Sequence, residues 1–119
     1  MGKYADIIDR LEKADAPDRT IDWMIHVMDG LDGVGSYGNH PAFTASLDAA
    51  IALLERMLPG HFLDIGMRPG WRGKPVRPVA DIYDIDSSDA DHMPLEGATP
   101  AIAVLAALFR VLAELETES

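Results

Sequence analysis

The residues of this chain best suited to contact a ligand lie in a basic segment near its middle, at Arg68, Trp71, Arg72 and Lys74. An indole ring can stack on a nucleobase, while guanidinium and ammonium groups can hold a phosphate. The simpler interpretation is a hairpin in which Trp71 covers an edge of the core. Its cations would then pair across the strands with acidic residues further along, which are Asp81, Asp84 and Asp86. In either case this segment is the best candidate to face a ligand.

An acidic segment follows and holds Asp84, Asp86, Asp89 and Asp91. Counted from Asp84, the first three alternate positions carry side-chain oxygens, as in a calcium loop of the EF-hand type. The sixth position of such a loop is a glycine and the twelfth a glutamate, but here they are Asp89 and Leu95. The pattern therefore favours a solvated acidic turn over weak divalent-cation binding. We expect these aspartates to contact a ligand or partner, and we expect no bound metal.

Other signatures of catalysis or cofactor binding are incomplete or missing. The run Gly33–Gly38 has the G-x-G-x-x-G spacing of a dinucleotide site, but no predicted strand precedes it and no helix opens directly after it. It is better interpreted as part of a glycine-rich connector over residues 29–43. The sequence has no cysteine, no G-x-S-x-G and no histidine pair at metal-ligand spacing. Asp81 and Asp84, on either side of Tyr83, are the nearest approach to paired catalytic carboxylates. We expect no enzymatic activity and no cofactor.

Composition narrows the class of protein. The 119 residues include 20 acidic and 10 basic side chains, a net charge of −10, with 48% hydrophobic residues. This length predicts a single domain over residues 1–119. The acidic excess argues against general nucleic-acid binding and against anionic membranes. The N-terminus lacks the apolar run of a signal peptide, so a cytoplasmic protein is expected. The charge is uneven, because residues 61–80 hold one acid and four bases while residues 81–119 hold nine acids and one base.

The elements that must position these groups follow from periodicity and turn signals. Helical spacing of apolar residues predicts three helices, over about residues 3–14, 18–28 and 44–58. Alternation then predicts antiparallel strands near 61–68 and 79–85, a short third strand over 91–95, and a turn at Pro69-Gly70. Prolines place residues 74–78 at an edge or in a loop. The predicted fold class is α+β, with a small antiparallel sheet of two to three strands packed between helical layers in the order ααα-ββ(β)-α.

The last helix is expected to form the centre of the core. It begins at Thr99-Pro100, where threonine caps and proline occupies the first turn, and it has no polar residue from Pro100 to Phe109. A helix that is apolar most of the way round is buried on more than one side. A small sheet cannot cover it alone. Either the first three helices cover the rest or a second copy does, which would make a homodimer through residues near this helix.

Several short segments together resemble a known family. They are TASLDAAIAL from Thr44, Leu58-Pro59-Gly60, Trp71, the run from Glu96 to Ala101, and Pro17-Asp18-Arg19 with Asp22. In these segments the chain resembles the phage ABA sandwich domain family, over about residues 4–113. It departs from that family at His61-Phe62-Leu63, where tryptophans are usual, and in its long glycine-rich stretch. The resemblance implies a small phage or prophage protein and a fold, but it implies no catalytic activity and no functional residues.

These observations predict a non-catalytic phage-type accessory protein that acts by binding in the host cytoplasm. The leading hypothesis is an inhibitor of a host defence factor, anti-CRISPR-like in character, whose acidic surface contacts a basic nucleic-acid-binding host protein. One alternative is a small-ligand or nucleotide sponge that uses Trp71, Arg72 and Lys74. Another is a structural or assembly adaptor of the phage particle.

Overall fold

The computed structural model describes residues 4–28, 42–68, 72–73, 76–83 and 95–118. The elements, in chain order, are α1 (Ala5–Lys13), α2 (Arg19–Met28), α3 (Leu47–Met57), β1 (Phe62–Arg68), β2 (Arg77–Tyr83), β3 (Leu95–Glu96) and α4 (Pro100–Glu118). The three strands form one antiparallel sheet in the order β1-β2-β3. The α+β class and the predicted order of helices, strands and final helix are confirmed. In the parts of the chain with described structure, no helix is long and apolar enough to cross a membrane.

The central element of the fold is α4. Every residue from Ala101 to Phe109 is buried, as the unbroken apolar run predicts. The helix packs against β2 and β3 and also against α1 and α3. The sheet and the helices α1 and α3 therefore enclose α4 together. Of the two alternatives for covering the apolar run, the chain itself covers it without a second copy.

Pairing of β1 with β2 sets the two faces of the sheet. The register places Leu63 opposite Ile82 and Ile65 opposite Ala80. In β2, burial alternates strictly, with Pro78, Ala80 and Ile82 buried and the residues between them partly exposed. Because side chains alternate between faces along a strand, one face of β2 packs on α4 and the other faces away from it.

One strand prediction needs correction. Pro78 lies in β2, the middle strand, and not in a loop or at an edge. Proline is tolerated there because β3 ends at this point. The Pro78 carbonyl accepts a hydrogen bond from the Gly97 N–H (3.1 Å), and Pro78 does not need to donate one. The pairing register is symmetric about Arg72 and Gly73, both in the left-handed region with φ of 52° and 82°. The turn expected at Pro69-Gly70 lies outside the described residues.

Three helices begin at side-chain caps. The Asp18 carboxylate accepts from the Thr20 and Ile21 amides, Ser46 Oγ accepts from the Ala49 amide at 3.2 Å, and Thr99 Oγ1 accepts from the Ile102 amide at 3.0 Å. Each cap satisfies N–H groups that the first turn leaves without an intrahelical acceptor. Thr44 lies two residues before the cap of α3 and does not cap that helix, so its side chain is available for other contacts.

Thr44 joins the starts of three helices. Its hydroxyl and its backbone amide both donate to the buried carboxylate of Asp22, while Arg19 donates to the other oxygen of that carboxylate. The Asp18 amide donates to the Thr44 hydroxyl, and the Thr99 hydroxyl donates to the Thr44 carbonyl. The residues that carry much of the family resemblance therefore meet in one hydrogen-bonded network. Their role in this chain is to hold α2, α3 and α4 together.

Candidate functional site

The side of the sheet that faces away from the buried β2 residues is the candidate site. We call this side the outer sheet face; its side chains are Phe62, Asp64, Arg68, Arg77, Val79, Asp81, Tyr83 and Glu96. The β1 members are exposed, and those of β2 and β3 are half-buried. The face is polarised along the strands, with aromatic and acidic residues at one end and basic residues at the other.

The acidic end contains two carboxylates directly opposite each other. Asp64 on β1 is the cross-strand partner of Asp81 on β2. Directly opposite residues of an antiparallel pair have Cβ atoms about 4.5–5.5 Å apart, and like charges in that position destabilise the sheet. The pair concentrates negative charge on a partly exposed face. A cation placed between the two carboxylates would interact with both.

Two aromatic rings border this acidic pair. Phe62 and Tyr83 stack with ring centroids 5.5 Å apart and an interplanar angle of 28°. The pKa of Tyr83 is raised above its ordinary value by desolvation of its half-buried ring, next by a hydrogen bond to Asp64, and then by the negative charges of Asp64 and Asp81. The shift reports the same concentration of negative charge. Aromatic faces beside carboxylates suit a guanidinium group, which can stack on a ring and donate to an oxygen.

The basic end is organised around one carboxylate. Arg68 on β1 reaches across β2 to Glu96 on β3, with Nη1 2.6 Å from Oε1, and Arg77 Nε lies 4.0 Å from the other oxygen of Glu96. All three side chains are partly exposed, so the contribution to folding stability is small. The arrangement fixes two guanidinium groups side by side. Because Glu96 already neutralises much of their charge, an anion would have to compete with it.

Two of the eight predicted site residues lie in the described structure. Arg68 is on the outer sheet face, where its partner is Glu96 of the third strand. Arg72 is exposed at the middle of the β1–β2 hairpin. The other predicted site residues lie outside the described residues; they are Trp71, Lys74, Asp84, Asp86, Asp89 and Asp91. The structure adds Asp64 opposite Asp81, a pairing that becomes visible only once the hairpin register is known.

The described residues give no support for metal coordination. Within residues 4–28, 42–68, 72–73, 76–83 and 95–118, no three histidine or carboxylate side chains are grouped so that they could hold an ion. The Asp64–Asp81 pair supplies two carboxylates, fewer oxygen ligands than a calcium site uses. An organic cation therefore suits the pair better than a metal ion.

Two surface grooves flank the sheet. One, of about 350 Å³, lies between α3 and the start of β1 and is lined mainly by Ile51, Leu54, Leu58 and Leu63, with Glu55 and His61 at its polar side. The other, of about 290 Å³, lies between α4 and β2, with Ile82, Leu95 and Val111 among its walls and Asp81, Arg110 and Glu114 as its charged groups. Asp81 borders both this groove and the outer sheet face. Asp81 therefore contributes its charge to both surfaces.

No family model, curated protein or solved structure matches this chain. The resemblance to the phage ABA sandwich family accordingly stays a prediction. The geometry and charge of the outer sheet face are the observations from which a function can be inferred.

Proposed function

We propose that this protein acts by binding a cationic partner protein through the acidic end of its outer sheet face. The observation that carries the proposal is the direct cross-strand pairing of Asp64 with Asp81 beside the stacked rings of Phe62 and Tyr83. Two carboxylates on adjacent strands present negative charge at one place on the surface. An arginine or lysine side chain would be attracted to both of them.

The surface best fits an arginine-rich partner. A guanidinium group can donate to carboxylates on both strands and can stack on an aromatic ring, whereas an ammonium group offers only a point charge. The net charge of −10 would attract a basic protein over a longer range. Basic proteins with such surfaces include those that bind nucleic acid, since phosphate contacts require arginine and lysine. The proposed action is occupation of a basic nucleic-acid-binding surface of a host protein.

The resemblance to a phage family suggests which biological role such binding would serve. The resemblance described above is to small phage proteins, and an acidic binder that blocks a nucleic-acid-binding host protein would serve as an inhibitor of host defence. The proposed function is therefore that of a phage-type accessory inhibitor which acts by contact and not by catalysis. The double variant Asp64→Asn/Asp81→Asn tests the contact surface and preserves side-chain size.

The experiment is affinity capture from a bacterial host lysate with three baits. They are the native chain, Asp64→Asn/Asp81→Asn, and a control with the same charge change at exposed acids elsewhere, Asp15→Asn/Glu55→Gln. The native and control baits should retain a basic nucleic-acid-binding or defence protein, and the face variant should lose it. Retention should also fall steeply with salt, because exposed charges are screened over about 10 Å at 0.1 M salt. Equal recovery by all three baits, or no such protein with any bait, would contradict the proposal.

A second candidate function is favoured by the adjacent guanidinium groups of Arg68 and Arg77. A nucleotide or other phosphate ligand could bridge them if it displaced Glu96. A ligand that binds only the native state raises the unfolding temperature. A nucleotide panel should then produce a shift in the native chain that Arg77→Gln abolishes and Glu96→Gln increases. The absence of any shift would exclude this candidate.

A further inference from the structure

We propose that β1 pairs, through its open edge, with β1 of a second copy of this chain. The pairing is antiparallel and centred on Gly66, so that two three-stranded sheets become one six-stranded sheet. It shares Asp64 with the acidic end used in the proposed function, but it rests on the open edge of β1 and not on that function.

Backbone amides and carbonyls of β1 face its open edge, where another strand could pair. β1 is the edge strand of the order β1-β2-β3 and pairs only with β2 among the described strands. The Pro78 carbonyl faces β3, since it accepts from the Gly97 amide. Backbone groups alternate in direction along a strand, so Val79 directs its amide and carbonyl to β1, and its partner Gly66 directs its own to β2. The backbone groups that face the open edge are consequently those of Leu63, Ile65 and Met67.

The same strand carries apolar side chains that the described part of the chain leaves uncovered. Ile65 and Met67 lie on the core side of the sheet, yet they are 41% and 57% exposed. They are exposed because α4 packs on β2 and β3 and β1 lies beyond it. Edge strands with exposed apolar residues readily pair with another strand unless charges or prolines prevent it.

The charge pattern selects a second copy of β1 as the occupant. Asp64 and Arg68 lie on the outer sheet face, on opposite sides of Gly66 and each two residues from it. Antiparallel pairing about Gly66 places Asp64 opposite the second copy's Arg68, and Arg68 opposite the second copy's Asp64. On the other face, Ile65 meets the second copy's Met67, and the reverse. The strand is thus complementary to itself in both charge and apolar contact, as a twofold interface requires.

This register also satisfies the backbone. Ile65 and Met67 would form hydrogen-bonded pairs, because their amides and carbonyls face the open edge. Asp64 and Arg68 would form non-hydrogen-bonded pairs, in which opposing side chains are closest. A guanidinium group has five N–H donors, so Arg68 can keep its contact with Glu96 and still donate to a second carboxylate. The new contact also places a cation near the repulsive Asp64–Asp81 pair.

The test is sedimentation velocity of the full chain over a range of concentrations. Pairing about Gly66 brings only residues 64–68 of the two strands together, which makes a small interface, so the dimer should be weak and should grow with concentration. Ile65→Lys should abolish it, because each added ammonium group would lie opposite the second copy's Met67 and diagonal to the other ammonium group. Leu115→Lys is the matched control, since Leu115 on α4 has a similar exposure of 44%. It should leave the dimer unchanged.

A charge swap tests the register. Asp64→Lys and Arg68→Glu should each weaken dimerisation by about tenfold or more, since like charges would then face each other. The double variant Asp64→Lys/Arg68→Glu should restore it, and thermal unfolding checks that each variant is folded.

Three results would each overturn the proposal. They are a protein that stays monomeric up to about 1 mM, a dimer abolished by Leu115→Lys and retained by Ile65→Lys, and a swap that fails to restore association. Asp81→Asn weakens the proposed partner site and leaves β1 intact, so failure of the two proposals can be told apart.

Discussion

The carboxylate of Asp22 accepts hydrogen bonds from both the backbone amide and the side-chain hydroxyl of Thr44, at 2.7 and 2.8 Å. Both residues are fully buried. A charged group away from water is tolerated only when its oxygens are well satisfied, and Arg19 adds a third donor at 3.0 Å. This contact links α2 to the segment that leads into α3. The hydrogen bonds of Asp22 therefore help to hold the helical part of the molecule together.

Thr44→Val should destabilise the fold. Valine has nearly the same shape, but it removes the hydroxyl that donates to Asp22 and accepts from the Asp18 amide. The loss of a partner for a buried charged group should lower the free energy of unfolding by about 1–3 kcal/mol. Denaturant titration measures this, with exposed Thr20→Val as the control. A Thr44 variant as stable as the control would show that the network does not matter for stability.

Gly97→Ala should be poorly tolerated because α4 leaves no room for a side chain. A Cβ at Gly97 would lie 2.4 Å from the Ala103 backbone nitrogen, an atom that cannot move without distorting the helix. We expect a loss of about 1–3 kcal/mol, as for other overpacked sites. Gly66→Ala is the comparison, since its Cβ would meet only Val79 Cγ2 at 3.8 Å. Equal stabilities of the two variants would contradict the close approach of β3 and α4.

Thr99→Ala should cost more stability than Ser46→Ala. Both residues cap a helix through a side-chain oxygen, and removal of such a cap costs about 1 kcal/mol. Thr99 also donates to the Thr44 carbonyl across a sequence separation of 55 residues. Thermal unfolding of the two variants under the same conditions compares the losses. A larger loss for Ser46→Ala would mean that the Thr99–Thr44 contact contributes nothing.

The titration of Tyr83 should report the acidic end of the outer sheet face. Its pKa in the folded chain is raised above the ordinary value of 10.0, by desolvation first and then by Asp64 and Asp81. A raised pKa favours the protonated phenol in the folded state. The associated stabilisation is therefore complete below pH 10.0 and is lost as the pH rises through the folded-state pKa.

Asp64→Asn should lower the Tyr83 pKa further than Asp81→Asn does. Asp64 acts through both a hydrogen bond and its charge, and Asp81 through charge alone. Ultraviolet absorbance of the phenolate, taken as the difference from Tyr83→Phe, isolates this residue. Asp15→Asn serves as the control and should have no effect. A Tyr83 titration that neither Asp64→Asn nor Asp81→Asn alters would remove the evidence for concentrated negative charge.

Local sequence signals predicted most of the fold. The Thr99-Pro100 entry and the apolar run behind it determine where α4 begins and that it is buried, because capping and burial on all sides leave direct marks on residue type. The layering did not follow from these signals. Which elements surround α4 depends on long-range packing, and the sequence left a second copy as an alternative. The middle-strand position of Pro78 was also missed, because the general exclusion of proline fails where the neighbouring strand ends.

The site was less predictable than the fold. Arg68 was predicted as a contact residue, but its partner Glu96 belongs to a strand that is not adjacent to β1. The pairing of Asp64 with Asp81 required the register. The turn predicted there was Pro69-Gly70, whereas the observed register is symmetric about Arg72 and Gly73. A shift of one residue would move each side chain to the opposite face. The geometry of this site therefore depends on the position of the turn between β1 and β2, which the sequence did not determine.

The most direct test of the binding proposal is a nuclear magnetic resonance titration of the chain with an arginine-rich peptide, under conditions in which the chain is monomeric. We expect the amide shifts to concentrate at Asp64, Asp81 and Tyr83. We also expect Asp64→Asn/Asp81→Asn to weaken binding by about tenfold, equivalent to about 1.4 kcal/mol, and Asp15→Asn/Glu55→Gln to leave it nearly unchanged. Shifts spread evenly over all acidic surfaces, with equal loss of affinity in both double variants, would contradict the claim that the outer sheet face is the binding site.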